Sequence, residues 1–366
     1  MMKPAAFLAC ALLSAAALQQ EPTSDTGARD AVPIDPVTGI LEAGRSHQIV
    51  ALGEPHGNKQ GQAVRLALVR DARFPGVFDD IVVEFGNARY QAQMDRFIRG
   101  EQVPEAELRQ AWQNTTQHAV WDSPIYREFF QTVRDVNRVL PPARQIRVLL
   151  GDPPIDWASV KGPRDHWNWM LQRDSFPAEL IQREVIQKGR RALVIYGDSH
   201  LQRRPIETNY SESSDPRFNT LASFLDRQLP RPSLFIILVP TGIDVATIQP
   251  SVASWHAPQF ATTRGNVLGH ADFVRYFSSP PDRRTVREGK LEAITAEQWR
   301  PRAMEDQFDA ILYLGPPAAL ETQGISTELC ADPEYMQMRA SRFEIVNAQR
   351  AFDSLREECA SALRKK

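Results

Sequence analysis

Cysteine is scarce in this chain, with three among 366 residues. That count excludes a disulfide-stapled miniprotein and a four-cysteine zinc site. An excess of one charge is missing as well: 43 Lys plus Arg face 45 Asp plus Glu, a formal net charge of -2. With no global basic field to concentrate a polyanion, nucleic acid is not an expected partner. The chain has no G-x-S-x-G elbow, no phosphate loop and no dinucleotide glycine fingerprint. It also has no C-x-x-C-H, which excludes covalent c-type haem. Glycine, at 19, is outnumbered by proline, at 27, a balance that suits punctuated strand ends and loops better than a helical bundle. What is present is a 42% hydrophobic share, enough for a large core and too polar for a multi-span membrane protein.

One apolar stretch stands at the start, residues 4–18 (PAAFLACALLSAAAL), after Lys3 and ending in small residues. It reads as a secretory signal peptide over residues 1–18, too short for a span of ~20 residues. Residues 19–45 look like a flexible tether. The expectation is an exported protein, periplasmic or extracellular, with no membrane span in the mature chain. Loss of the leader removes Cys10 and leaves Cys330 and Cys359. An exported pair fits one structural disulfide that pins a C-terminal helical segment, residues 321–366, onto the body. Residues 333–366, charged and with apolar residues at helical spacing, read as that helix.

Short apolar runs without clean alternation occur at residues 48–52 (QIVAL), 81–83 (IVV), 146–150 (IRVLL), 192–196 (ALVIY), 234–239 (LFIILV) and 310–314 (AILYL). Such runs suit strands buried on both faces. Helical patterns at residues 59–70, 90–99, 105–113, 124–140 and 218–228 separate them. The alternation predicts one α/β domain over residues 46–320, with a central mixed, mostly parallel sheet flanked by helices. In such sheets the carboxyl ends of the strands form one rim, where sites are built. The first run ends in Gly53-Glu54-Pro55-His56-Gly57 and the second in Glu84-Phe85-Gly86-Asn87. The third ends in Gly151-Asp152 and the fourth in Gly197-Asp198-Ser199-His200. Any one of these residues can serve as a turn or helix cap. As a set they predict a site. Glu84 in particular ends a buried run and needs a partner.

The two G-x-x-H turns, at Gly53–His56 and Gly197–His200, together with Glu54 and Glu84, resemble the superfamily of erythromycin esterases, ChaN-like haem-binding proteins, Tiki proteases and TraB/GumN proteins. That resemblance implies Glu54, His56, Glu84 and His200 as catalytic residues, with Asp152 and Asp198 supporting. Its usual arginine has Arg89 and Arg203 as the nearest matches. The pattern spans residues 48–201, and the resemblance implies that the body extends to residue 317.

Two related chemistries fit the set. In one, His56, oriented by a carboxylate such as Glu84, is the general base on water, and His200 or Glu54 assists the leaving group. In the other, His56, His200 and Glu84 hold a divalent cation with an open position, which acidifies bound water. Either route hydrolyses an ester, lactone or amide in a small-molecule or peptide substrate. The alternative is a haem- or iron-binding cell-envelope protein on the same fold, drawing on Tyr90, Tyr126, His118, Trp167 or Trp169. The bland reading of those aromatics is core or lid packing. His166, His256 and His270 read as surface or satisfied histidines.

Overall fold

The computed structural model describes residues 28–203, 219–229, 233–241, 248–273 and 303–364, together with two short strands at 284–287 and 290–293. The expected signal peptide and the first part of the expected tether lie outside the described residues. Nine strands are described: β1 (Ile49–Gly53), β2 (Asp80–Asn87), β3 (Arg147–Asp152), β4 (Ala192–Tyr196), β5 (Leu234–Leu238), β6 (Gln259–Thr262), β7 (Arg284–Arg287), β8 (Lys290–Ala293) and β9 (Ala310–Tyr313). Seven form one sheet in the order β3-β2-β4-β1-β5-β9-β6, and β7 and β8 make a separate antiparallel pair. Every pairing in the large sheet is parallel except that of β6 with β9. The six predicted runs are therefore the six parallel strands. Gln259–Thr262 and the β7–β8 pair were not legible as strands, being short and mostly polar.

The continuous apolar runs serve two cores, one on each face. Val50 and Leu52 of β1 point into one cluster, with Ile81 and Val83 of β2. Ile49 and Ala51 point into the other, with Val82 and Val194. This is the period of two that a strand imposes, hidden in sequence because both faces are apolar. Burial of each such Val or Ile contributes about 1.5–3 kcal/mol. Helices Lys59–Arg70 and Pro124–Asn137 cover the first face, and helices Ser175–Ile181 and Leu221–Gln228 the second. The free edge of β3 is closed by a side chain: Gln91 Nε2 donates to Val148 O at 2.7 Å, and its Oε1 accepts from Leu150 N at 2.8 Å. A carboxamide thereby replaces a missing strand.

Part of the expected tether, residues 19–45, is helical. Residues Pro36–Ser46 form a helix capped by Asp35, whose side chain accepts from Thr38 N at 2.8 Å, with Pro36 in the first turn. Ile40 and Leu41 of that helix are fully buried. At the other end, the single helix expected over residues 333–366 is two, Pro333–Ile345 and Gln349–Arg364, preceded by a short helix Thr327–Ala331. The break falls at Asn347, whose φ of 57° is left-handed and ends a helix. Cys330 and Cys359 are joined in a disulfide. Around it Phe343, Phe352 and Leu355 form a small separate core.

Candidate active site

β1, β4 and β2 are neighbours, so the turns that follow them meet at one rim. The Glu54 amide continues the ladder by donating to Tyr196 O at 2.8 Å. Its carboxylate is buried. Oε2 lies 2.6 Å from His56 Nδ1, and Oε1 lies 3.3 Å from Arg65 Nη1 and accepts from the Tyr126 hydroxyl at 3.3 Å. Because a carboxylate only accepts, Nδ1 of His56 carries hydrogen and Nε2 keeps its lone pair in the neutral ring. The turn is secured at Gly57, which takes a φ of 72° and donates its N–H to the Tyr126 oxygen at 3.0 Å. The His56 side chain is 40% exposed, and its ring meets Trp121 edge-on at 4.5 Å. Burial works against a charge on His56. The hydrogen bond and charge of Glu54, with Glu84 beyond, outweigh it and raise the pKa above 6.5.

Across the rim, Glu84 is buried and ion-pairs through Oε1 with Arg173. Oε2 accepts from Gly197 N at 2.7 Å, and His200 Nε2 lies 3.5 Å from Oε1. Burial alone would raise the Glu84 pKa, but the charges of His200, Arg173 and His56 hold it below the ordinary value. His200 donates from Nδ1 to Asp174 Oδ1 at 2.7 Å. Asp174 also accepts from Leu221 N at 2.7 Å, which fixes it at a helix start. Burial disfavours charge on His200, yet Asp174 and Glu84 on either side raise its pKa above 6.5. Gly197 joins the halves: a Cβ there would sit 3.2 Å from His56 Cε1 and 3.4 Å from Glu84 Oε2.

The structure thus brings Glu54, His56, Glu84 and His200 together. Asp152 stands beside them at the end of β3, with its carboxyl turned to Thr116, whose N–H donates at 2.8 Å. Burial pushes Asp152 up to about 7. Asp198 tucks under β1, where a Cβ on Gly53 would fall 2.0 Å from its Oδ1. Burial pushes it up to about 8. The two arginines nearest the motifs lie elsewhere. Arg89 pairs with Asp156 at 3.1 Å on the surface, and Arg203 bridges Asp226 at 3.0 Å and Asp309 at 2.8 Å.

Among the described residues, Arg65 and Arg173 are the arginines that reach the glutamates. Arg65 had a signal, a lone charge among the buried positions Val64, Leu68 and Val69 of an apolar helix stripe. Arg173 and Asp174 had none, lying in a polar stretch far from any strand end. The orienting carboxylate of His56 is also Glu54 rather than Glu84.

The geometry does not support the expected cation site of His56, His200 and Glu84, because Glu84 already carries a guanidinium. Among the described residues no group of three or more His, Cys, Asp or Glu side chains is arranged to hold a metal ion. Of the residues considered for haem, Tyr126 is buried with its hydroxyl engaged, and the Tyr90 hydroxyl accepts from Asn114 at 2.8 Å. Both ring nitrogens of His118 are buried without a partner, among Trp157, His166 and Phe343 at 4.8–5.0 Å. Trp167 is 59% exposed.

Residues 40–141 match the family described as haem-binding uptake, Tiki superfamily, ChaN. This is the superfamily that the G-x-x-H turns resemble. The matched segment holds Glu54, His56, Glu84, Arg65 and Trp121; Arg173, Asp174 and His200 lie beyond it. Among solved structures, the chain is similar to a succinoglycan biosynthesis protein at 12% identity and a TM-score of 0.52, over 81% of this chain and 96% of that one. That likeness bears on the fold. An erythromycin esterase EreC mutant in its open conformation gives 14% identity and a TM-score of 0.48, over 78% and 93%. Haem-bound ChaN of Campylobacter jejuni gives 13% and 0.36, over 58% and 92%. No curated protein matches the sequence. Among the described residues no helix is long and apolar enough to cross a membrane.

Proposed function

We propose that this chain is an exported hydrolase of ester, lactone or amide bonds that uses His56 as general base. The observation that carries the reading is the 2.6 Å pairing of His56 Nδ1 with buried Glu54, on a ring that is 40% exposed. Nε2 takes a proton from water as the water oxygen bonds to the carbonyl carbon, and Glu54 stabilises the imidazolium that forms. Arg173 and protonated His200, across Gly197, set positive charge beside the developing oxyanion. His200 then gives its proton to the leaving oxygen or nitrogen as the carbon–heteroatom bond breaks. A small molecule or a peptide is the substrate class. Hydrolysis of a panel of activated aryl esters and lactones by wild type and His56→Ala tests the reading. Turnover that is the same in both proteins removes it.

Haem capture is the second reading, and the family match over residues 40–141 supports it. The Tyr126 hydroxyl is already engaged by Glu54 and Gly57, whereas both ring nitrogens of His118 are buried without a hydrogen-bond partner. Mixing the protein with hemin and following the Soret band tests this reading, and an unshifted band removes it. Export rests on the leader at residues 1–18, and the amino-terminal sequence of the mature protein checks it.

A further inference from the structure

The loop between the helices Gln110–Gln113 and Pro124–Asn137 faces the site on one side and the C-terminal helices on the other. On its inner side, Trp121 packs on His56, Thr116 holds Asp152, and the Gln117 carboxamide, with its oxygen toward Arg173, accepts from Nη1 at 2.9 Å. Its outer side is gripped by helix Pro333–Ile345. Arg339 is 1% exposed and reaches Asp122 with Nη2, at 2.7 Å from Oδ1 and 2.6 Å from Oδ2. The Tyr335 hydroxyl also donates to Asp122. Nη1 of Arg339 and of Arg342 both donate to Gln113 O, at 3.0 and 3.1 Å. Arg342 adds a bond to Asn114 Oδ1 at 2.7 Å. Asp122 is the residue next to Trp121. A buried carboxylate so held has no freedom to carry its neighbour away from His56.

We infer that Arg339 is a positioning residue for the site, acting through Asp122 and Trp121 on His56. The Cys330–Cys359 bridge sets that grip, because the loop it closes contains the whole helix bearing Tyr335, Arg339 and Arg342. As a source of stability alone the buried Arg339–Asp122 pair is a poor choice, since a buried ion pair is often no better than an apolar replacement. As a register device, fixing one loop in one place, it has a function. The consequence for catalysis rests on the hydrolase reading; the positional claim does not.

The test therefore reads His56 directly. In the full-length protein with labelled histidine, the His56 Cε1–H resonance, assigned by its loss in His56→Ala, carries the ring-current effect of Trp121. In Arg339→Gln, and in wild type with the disulfide reduced, we expect it to move toward the position of an exposed histidine. Arg339→Lys should restore most of the wild-type position. Tyr335→Phe removes one hydroxyl and no charge, and should move the resonance the same way by less; it stands in if Arg339→Gln does not fold. A folded Tyr335→Phe or Arg339→Gln protein with an unmoved His56 resonance overturns the inference. Loss of ester hydrolysis in His56→Ala without that movement keeps the hydrolase reading, and movement without any hydrolysis keeps the inference alone.

Discussion

His56 Nδ1 lies 2.6 Å from Glu54 Oε2, between two residues that are only two apart in sequence. A strand that turns sharply at its carboxyl end can place both side chains on one side, one buried and one half in solvent. This arrangement fixes the tautomer of His56 and turns Nε2 outward. The other pair, His200 with Asp174 at 2.7 Å, spans 26 residues and needs the whole fold.

Removal of the His56 imidazole should lower hydrolysis by about 10²–10⁴-fold, the ordinary worth of a general base. Glu54→Gln should lose less. Without the carboxylate charge the His56 pKa should also fall from its raised value, so the rising limb of the rate profile moves to lower pH. Rate against pH for the two variants checks this, and an unmoved limb in Glu54→Gln argues against the pairing.

For wild type, activity requires His56 unprotonated. Its pKa stands above 6.5, so the rate should climb on the alkaline side of 6.5 rather than below it. A plateau already reached at pH 6 contradicts the Glu54 assignment.

His200 gives a stability signature. Its folded pKa is raised above the unfolded 6.5 by Asp174 and Glu84. The stabilisation is fully present below 6.5 and is lost as pH rises through the folded value. Asp174→Asn should therefore be destabilised more at pH 6 than at pH 9. Denaturant melts at the two pH values measure the difference; an equal loss at both disproves the linkage.

His118 works in the opposite sense. Burial among aromatic rings depresses its pKa to about 3. Stability from keeping it neutral is whole above 6.5 and declines as pH falls toward 3, with a limiting slope of about 1.4 kcal/mol per pH unit. His118→Phe should flatten that acid decline. Parallel stability curves for the two proteins rule it out.

Much of this was legible in the sequence, for reasons that can be named. Strands β1 to β5 and β9 are apolar on both faces, so continuous runs marked them without any alternation. Glu54, His56, Glu84 and His200 end or follow such runs within four residues, which places them on the rim once the sheet is parallel. Cys330 and Cys359 were the pair left after the leader. The helix Pro36–Ser46 was hidden because its sequence, PVTGILEAGRS, mixes Pro, Thr, two glycines and Ser with few apolar residues. Gly39 is there for contact: a Cβ would lie 2.3 Å from the Phe260 ring. Arg173 and Asp174 were beyond reach, since polar residues ahead of a helix look alike whether they face water or a buried glutamate.

The central claim is that the Glu54–His56 pair performs hydrolysis. The most direct measurement is release of the phenol from an activated aryl ester, or ring opening of a lactone, by purified mature protein, beside His56→Ala at equal concentration and confirmed fold. The account predicts turnover in wild type, rising with pH above 6.5, and its near loss in His56→Ala. Equal rates in the two proteins across esters, lactones and amides would contradict it.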